Sequence, residues 1–186
     1  TVTQMHIYQA MDRLGMGQYL SRIALLMDGS TGEALDSSKT YWMEDALWQP
    51  LRKLVEDSLV VKDWFELAVL QNLLIDGLLY PLMYHKFDQW LAEQGAEDVS
   101  MLTEFMRDWY TESCRWVDAM LKTVRAESDA NAEQLQRWIA QWQPRVIAAL
   151  QPLADASVGD AALYEVAGQF DQRLKKLGLV AEEVAA

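Results

Sequence analysis

One stretch constrains this chain more than any other: Lys62 to Trp90, reading KDWFELAVLQNLLIDGLLYPLMYHKFDQW. From Leu67 to Met83 it is apolar on nearly every side of a helical wheel, which marks a helix enclosed by other helices rather than one laid on a surface. Glu66, Gln71, Asn72 and Asp76 are too many polar groups for a segment stranded in hydrocarbon, which argues against a membrane span. Inside a bundle they can find partners. Pro81 lacks an N–H and crowds the carbonyl of Gly77, so a kink is expected between Asp76-Gly77 and Pro81. Asp76, set among Leu73, Leu74, Ile75, Leu78 and Leu79, should be buried with a cationic or N–H partner, because an unpaired buried charge is costly.

The remaining punctuation gives the neighbours that such a helix needs. Val2 to Met27 reads as a helix stopped by Asp28-Gly29-Ser30-Thr31-Gly32. Asp36 to Ser38 can cap a second helix that runs through Tyr41, Trp42, Leu47, Leu51, Leu54, Val55 and Leu59, bent at Pro50. The central helix is closed by Gly95. Asp98 to Ser100 then offer caps for a fourth helix, Met101 to about Glu127, with Leu102, Phe105, Met106, Trp109, Trp116, Met120 and Leu121 on its apolar face. Beyond Ser128-Asp129 the character changes. Asn131 and Gln134 resemble a capping box that opens a helix carrying Trp138, Trp142, Val146 and Leu150, interrupted by Pro144. Asp160 starts a last amphipathic helix ended by Gly178. The expectation is an all-α fold: a bundle of four long helices over residues 1–128, with a C-terminal helical arm over 129–186 that packs on the bundle or on a partner.

A chain of 186 residues with 51% hydrophobic content supports one domain with a real core. Its formal charge of −12 argues against nucleic acid and against anionic membrane surfaces. Cys114 is the single cysteine, and no signal-peptide pattern is present, so a cytoplasmic location is expected. Thr1 is not an initiator Met, which suggests a piece of something longer.

Chemistry is constrained by what is missing. His6 and His85 are the only histidines, and neither has a carboxylate three residues before it. Di-iron bundles instead bring two Glu-x-x-His pairs from facing helices onto one core site. Ser-His-Asp or Cys-His catalysis would need one of the same two histidines. There is no P-loop, no GxGxxG after a strand and no CxxC. Adjacent acidic pairs such as Glu44-Asp45 and Glu56-Asp57 point about 100° apart on a helix, so solvated faces are the reading for them. No catalytic, cofactor-binding or metal-binding residue is therefore expected in this chain. Eight tryptophans invite two readings: core filling, or, for Trp138 and Trp142 on the arm, an anchor for another chain.

KDWFELAVLQNLLIDGLLYPLMYHKFD, together with AMDRLGMGQYLSR near the start, resembles the β subunit of the hydroxylase component of bacterial multicomponent phenol and toluene monooxygenases, relatives of soluble methane monooxygenase. The resemblance implies a ferritin-like bundle. It also implies an α subunit that holds the di-iron centre, a small γ subunit, a coupling protein and an NADH-dependent reductase carrying FAD and [2Fe-2S]. In such a complex the β subunit looks like a paralogue that kept the fold and lost the ligands. The stretch matching one Glu-x-x-His segment puts Arg13 and Met16 at the ligand positions. On the fourth helix Glu112 is kept while Arg115 stands for the histidine, and Gln71 falls about where a bridging glutamate of the central helix would be. A cation and a thioether cannot replace a carboxylate and an imidazole on iron. Arg13 or Arg115 paired with Glu112 would neutralise the vacated core, unless these arginines face outward. The reading that follows is a non-catalytic structural β subunit of an aromatic monooxygenase. The alternative is a self-contained helical module that binds a small apolar ligand or a protein partner.

Overall fold

The computed structural model describes residues 2–180, and every regular element among them is helical. We label them α1 (Val2–Met27), α2 (Glu33–Glu44), α3 (Gln49–Ser58), α4 (Trp64–Glu93), α5 (Glu97–Glu127), α6 (Asp129–Ala156) and α7 (Asp160–Leu177). The chain divides into two compact units, Thr1–Ala46 and Leu47–Ala186. The step expected at 128/129 is therefore not where the units separate. The arm helix α6 packs on α3, α4 and α5 and belongs to the second unit; residues 181–186 of the arm lie outside the described residues.

In the first unit α1 packs against α2 through the turn that the glycines announced. Gly29 and Gly32 sit at φ 68° and 84°, in the left-handed region that favours glycine. Asp28 Oδ2 accepts from the Ala34 N–H at 3.0 Å, and that bond, first among its causes, holds the Asp28 carboxyl below its ordinary value. With the cap supplied from across the turn, α2 starts at Glu33 rather than at Asp36–Ser38. The Ser38 and Thr40 hydroxyls instead donate back to the Ala34 and Asp36 carbonyls. The single bent helix expected through Pro50 is two helices. Asp45 is extended (φ −72°, ψ 130°), and Pro50 lies in the first turn of α3, where its missing N–H costs nothing.

The second unit is built on α4, as its composition requires. Leu70, Leu73, Leu74 and Leu78 have no exposed surface, and α5, α6 and α7 pack around the helix. By length and by an 18-residue window of mean hydropathy 1.3, α4 is the one described helix that could cross a membrane, but 61% of that window is buried inside the fold. Asp63 caps it, accepting from the Phe65 and Glu66 N–H groups. The disturbance expected around Pro81 takes a specific form. An α-helical segment, Asp76–Pro81, is flanked by two π-helical runs, Val69–Ile75 and Leu82–Phe87, which widen the turn and let the chain continue past a residue with no N–H. Asp76 is 1% exposed, as the buried-helix reading requires.

Two other boundaries differ from expectation for local reasons. α5 begins at Glu97, so Asp98 and Ser100 lie inside it. α6 is capped by Ser128, whose Oγ accepts from the Asn131 N–H at 3.1 Å; the Asn131 amide is engaged with the Val124 carbonyl and Glu127. α6 also runs unbroken through Pro144 and Pro152. The carbonyls they leave without helical donors belong to Ala140 and Ala148, both exposed residues, so water can satisfy them.

Near the end of α4, Asp88 is buried (2% exposed) and accepts from the Thr103 hydroxyl at 2.8 Å. Burial raises its pKa above the ordinary 3.8, against the opposing pull of that hydrogen bond. The folded state therefore holds a proton that the unfolded chain releases, and this group's contribution to stability is present below 3.8 and declines as pH rises through the raised value. Asp88→Asn, which keeps an oxygen acceptor for Thr103, should be more stable than the parent at pH 7. Denaturant titrations across pH should show the difference shrinking toward pH 3.

Candidate functional site

α5 carries Tyr110, Cys114 and Asp118 at spacings of four, which places them on one face of the helix. That face meets Arg173 of α7 and the Asp76-Gly77 turn of α4. The Arg173 guanidinium donates from Nε and Nη2 to Asp118 Oδ1, at 2.9 and 2.7 Å, and its Nη1 lies 3.5 Å from the Tyr110 hydroxyl. Tyr110 in turn donates to the Gly77 carbonyl at 3.4 Å. That carbonyl's α-helical donor would be residue 81, a proline. Gly77 has to be glycine, because a Cβ there would stand 2.6 Å from Phe170 Cε2.

The environment keeps these groups in defined protonation states. Burial drives the Tyr110 phenol well above its ordinary range, and Cys114 and Asp76 add to the effect. Burial likewise pushes the Cys114 thiol up, against the attraction of the Arg173 charge. Both therefore stay protonated at neutral pH. Tyr80 stacks on Tyr110 with ring centroids 5.6 Å apart and fixes its ring.

Beside this cluster a cleft of about 420 Å³ opens between α4 and α7, lined among others by Pro81, His85, Gln89, Phe170 and Arg173. Lys86 and Glu165 close one edge with an ion pair at 2.5 Å. Partial burial, and then the Arg107 charge, hold His85 below its ordinary pKa, so it faces the cleft as a neutral imidazole at pH 7.

The residues singled out from sequence fall elsewhere. Glu112 and Arg115 are exposed on α5, whose inward positions at that level are Ser113 and Val117. The expected buried pairing of Arg115 with Glu112 is thus corrected: the arginine that enters this interior is Arg173, and its carboxylate is Asp118. Gln71 is half-buried in the first π-run. Arg13 is half-buried and Met16 buried on α1, in the other unit. With a guanidinium, a thioether and two exposed side chains at these positions, the donor set does not fit a di-iron centre. Among the described residues no group of three or more His, Cys, Asp or Glu stands close enough to hold a metal ion. Of the arm tryptophans, Trp142 is buried (4% exposed), with Nε1 donating to Glu66 Oε1 at 2.7 Å. Trp138 is half-buried against Phe65, ring centroids 6.3 Å apart. Both therefore serve the chain's own packing, and Trp142 offers no free surface to another chain.

Comparison with known proteins places this architecture. The family model described as methane/phenol/alkene hydroxylase matches residues 1–128. The chain is 67% identical, over 98% of its own length and 55% of the relative's, to the phenol 2-monooxygenase oxygenase component DmpL of Pseudomonas sp. (strain CF600). It is 46% identical, over 96% and 54%, to the corresponding component MhpL of Acinetobacter pittii (strain PHEA-2). The crystal structure of xenon-pressurised phenol hydroxylase from Pseudomonas sp. OX1 superposes with a TM-score of 0.94 at 64% identity, covering 99% of this chain and 56% of that one. The chain thus spans about half the length of the curated relatives it matches. The expected ferritin-like helical fold is the one found. On the strength of the matched model and these identities, the chain belongs to the methane/phenol/alkene hydroxylase family.

Proposed function

We propose that the protein is a non-catalytic structural subunit of a di-iron phenol-type aromatic monooxygenase, supporting an iron-bearing α subunit. The observation that carries this reading is the loss of ligand chemistry in a chain that keeps the fold: Arg13, Met16 and Arg115 stand where the family's ligand motifs would put iron-binding groups. The identity to phenol 2-monooxygenase oxygenase components supports the substrate class.

The partners that follow are the α and γ hydroxylase subunits, a coupling protein and a reductase carrying FAD and [2Fe-2S], in the cytoplasm. Exposed apolar side chains on α1 support a partner: Ile7, Met11 and Leu14 are 56, 62 and 66% exposed at helical spacing.

Co-expression with the candidate α subunit tests the proposal. The two chains should co-purify, iron should follow the larger one, and Glu112→Ala here should leave the iron content unchanged. Near-stoichiometric iron in this chain alone, lost on Glu112→Ala, would contradict it.

A further inference from the structure

We propose that Tyr84, Tyr80 and Trp109 form a relay for one-electron oxidising equivalents, in which an electron lost at the tyrosine end is replaced from the Trp109 indole. The relay lies wholly within the second unit of this chain. Only its use, the removal of stray oxidising equivalents from an oxygen-activating complex, rests on the functional reading above.

Electrons pass between π-systems through orbital overlap, which dies away exponentially with separation, so rings in contact exchange them faster than a radical attacks its surroundings. Tyr80 of α4 makes such a contact on each side. Its ring centroid lies 5.2 Å from that of Tyr84, one turn further along α4, and 5.2 Å from that of Trp109 on α5. Tyr80 is 7% exposed and so is sealed from solvent, whereas Tyr84 and Trp109 are half-buried. Trp90 and Trp138 are set differently. They lie against Phe87 and Phe65, and a phenyl ring is far harder to oxidise than a phenol or an indole.

The electron is drawn from Trp109 for a chemical reason. A phenol becomes a stable radical only by giving up its hydroxyl proton with the electron. Burial, with the Asp88 charge added, raises the Tyr84 phenol above its ordinary pKa, and Tyr80 has no open path to water. An indole can release the electron first and its N–H proton afterwards, and Trp109 is partly open to solvent. The balance is one electron to the oxidant and one proton to water; a thiol in solution returns the electron, and water the proton.

Tyr110 stands next to the relay but outside it. Its ring stacks on Tyr80 with centroids 5.6 Å apart. Its hydroxyl, however, donates to the Gly77 carbonyl, an amide oxygen that cannot keep a proton, and lies beside the Arg173 cation, which opposes any further positive charge. The polar cluster is thereby kept out of the path of oxidation.

The test exposes the full chain, as it purifies with its accompanying subunits, to a brief flash with a ruthenium polypyridyl photosensitiser and persulfate, which together generate a one-electron oxidant in solution. Peptide mass spectrometry then locates the oxidised side chains and separates those of this chain from those of other subunits. Tyr80→Phe keeps a ring in place and removes the oxidisable station. It should lower oxidation at Trp109 several-fold and raise it at Tyr84, with Trp64, 57% exposed and outside the relay, unchanged. Tyr110→Phe should leave all three residues as in the parent. Unchanged or greater oxidation of Trp109 in Tyr80→Phe would overturn the proposal, because that ring would then be attacked directly. An equal fall at Trp109 in Tyr110→Phe would overturn the route through Tyr84.

Discussion

Replacing Arg173 with leucine should destabilise the chain by roughly 3 kcal/mol, the usual consequence of removing one partner from a largely buried ion pair. Its side chain is 15% exposed and that of Asp118 28%, so the pair is shielded enough to escape the near-zero value of surface bridges. The loss comes mainly from what is left behind. Asp118 forfeits both guanidinium donors, and Tyr110 loses the cation beside its hydroxyl. At this chain length roughly 3 kcal/mol corresponds to a fall in Tm of about 6–12 °C. Arg173→Leu combined with Asp118→Leu should recover a substantial part of the loss, because no charge is then stranded. A double-mutant cycle by urea denaturation measures the coupling; a value near zero would mean that the pair behaves as a solvated surface contact.

Trp142→Ala should be at least as damaging, at roughly 3–5 kcal/mol for truncating a buried tryptophan. Three attachments fail together: the packing of α6 onto the bundle, the hydrogen bond to Glu66, and the platform under the Arg145 guanidinium, 4.2 Å above the ring. Arg145 also reaches Asp57 at 2.5 Å, so losing its platform loosens the tie from α6 to α3. Trp138→Ala should cost about 1 kcal/mol, the centre of the range for single substitutions, since that ring is only half-buried. Thermal melts of the two variants distinguish an internal role from an anchor for another chain. An anchor would leave the isolated chain's Tm unchanged and weaken only assembly.

Much of the fold is legible in the sequence because it depends on local chemistry. The unbroken apolar character of Leu67–Met83 demands enclosure, and the left-handed glycines mark helix ends, Gly32 opening α2 and Gly178 closing α7. The errors arise where a distant group changed the local balance. Asp28 caps α2 from six residues away, so the nearer Asp36 and Ser38 were not needed. Pro144 reads as an interruption, but the carbonyl it orphans belongs to the exposed Ala140. The polar cluster was missed for a related reason. Tyr110, Cys114 and Asp118 share a face at spacings of four, a signal present in the sequence, but their partner Arg173 lies 55 residues beyond Asp118. Glu112 and Arg115, the residues that the sequence singles out on this helix, are turned toward solvent.

The two π-runs of α4 also set the phase of everything that follows them. An α-helix advances about 100° per residue, and a π-run arises when one extra residue is absorbed without breaking the ladder. Deleting a single residue within Val69–Ile75 would leave a helix of better local geometry and the same composition. It would also turn the segment from Asp76 to Glu93 by about that angle. Gly77 would swing away from Phe170, a bulkier side chain would take its place against that ring, and Asp88 would leave Thr103. The irregular turns therefore act as an angular spacer, and the length of this stretch, more than the identity of its leucines, is what the surrounding helices hold fixed.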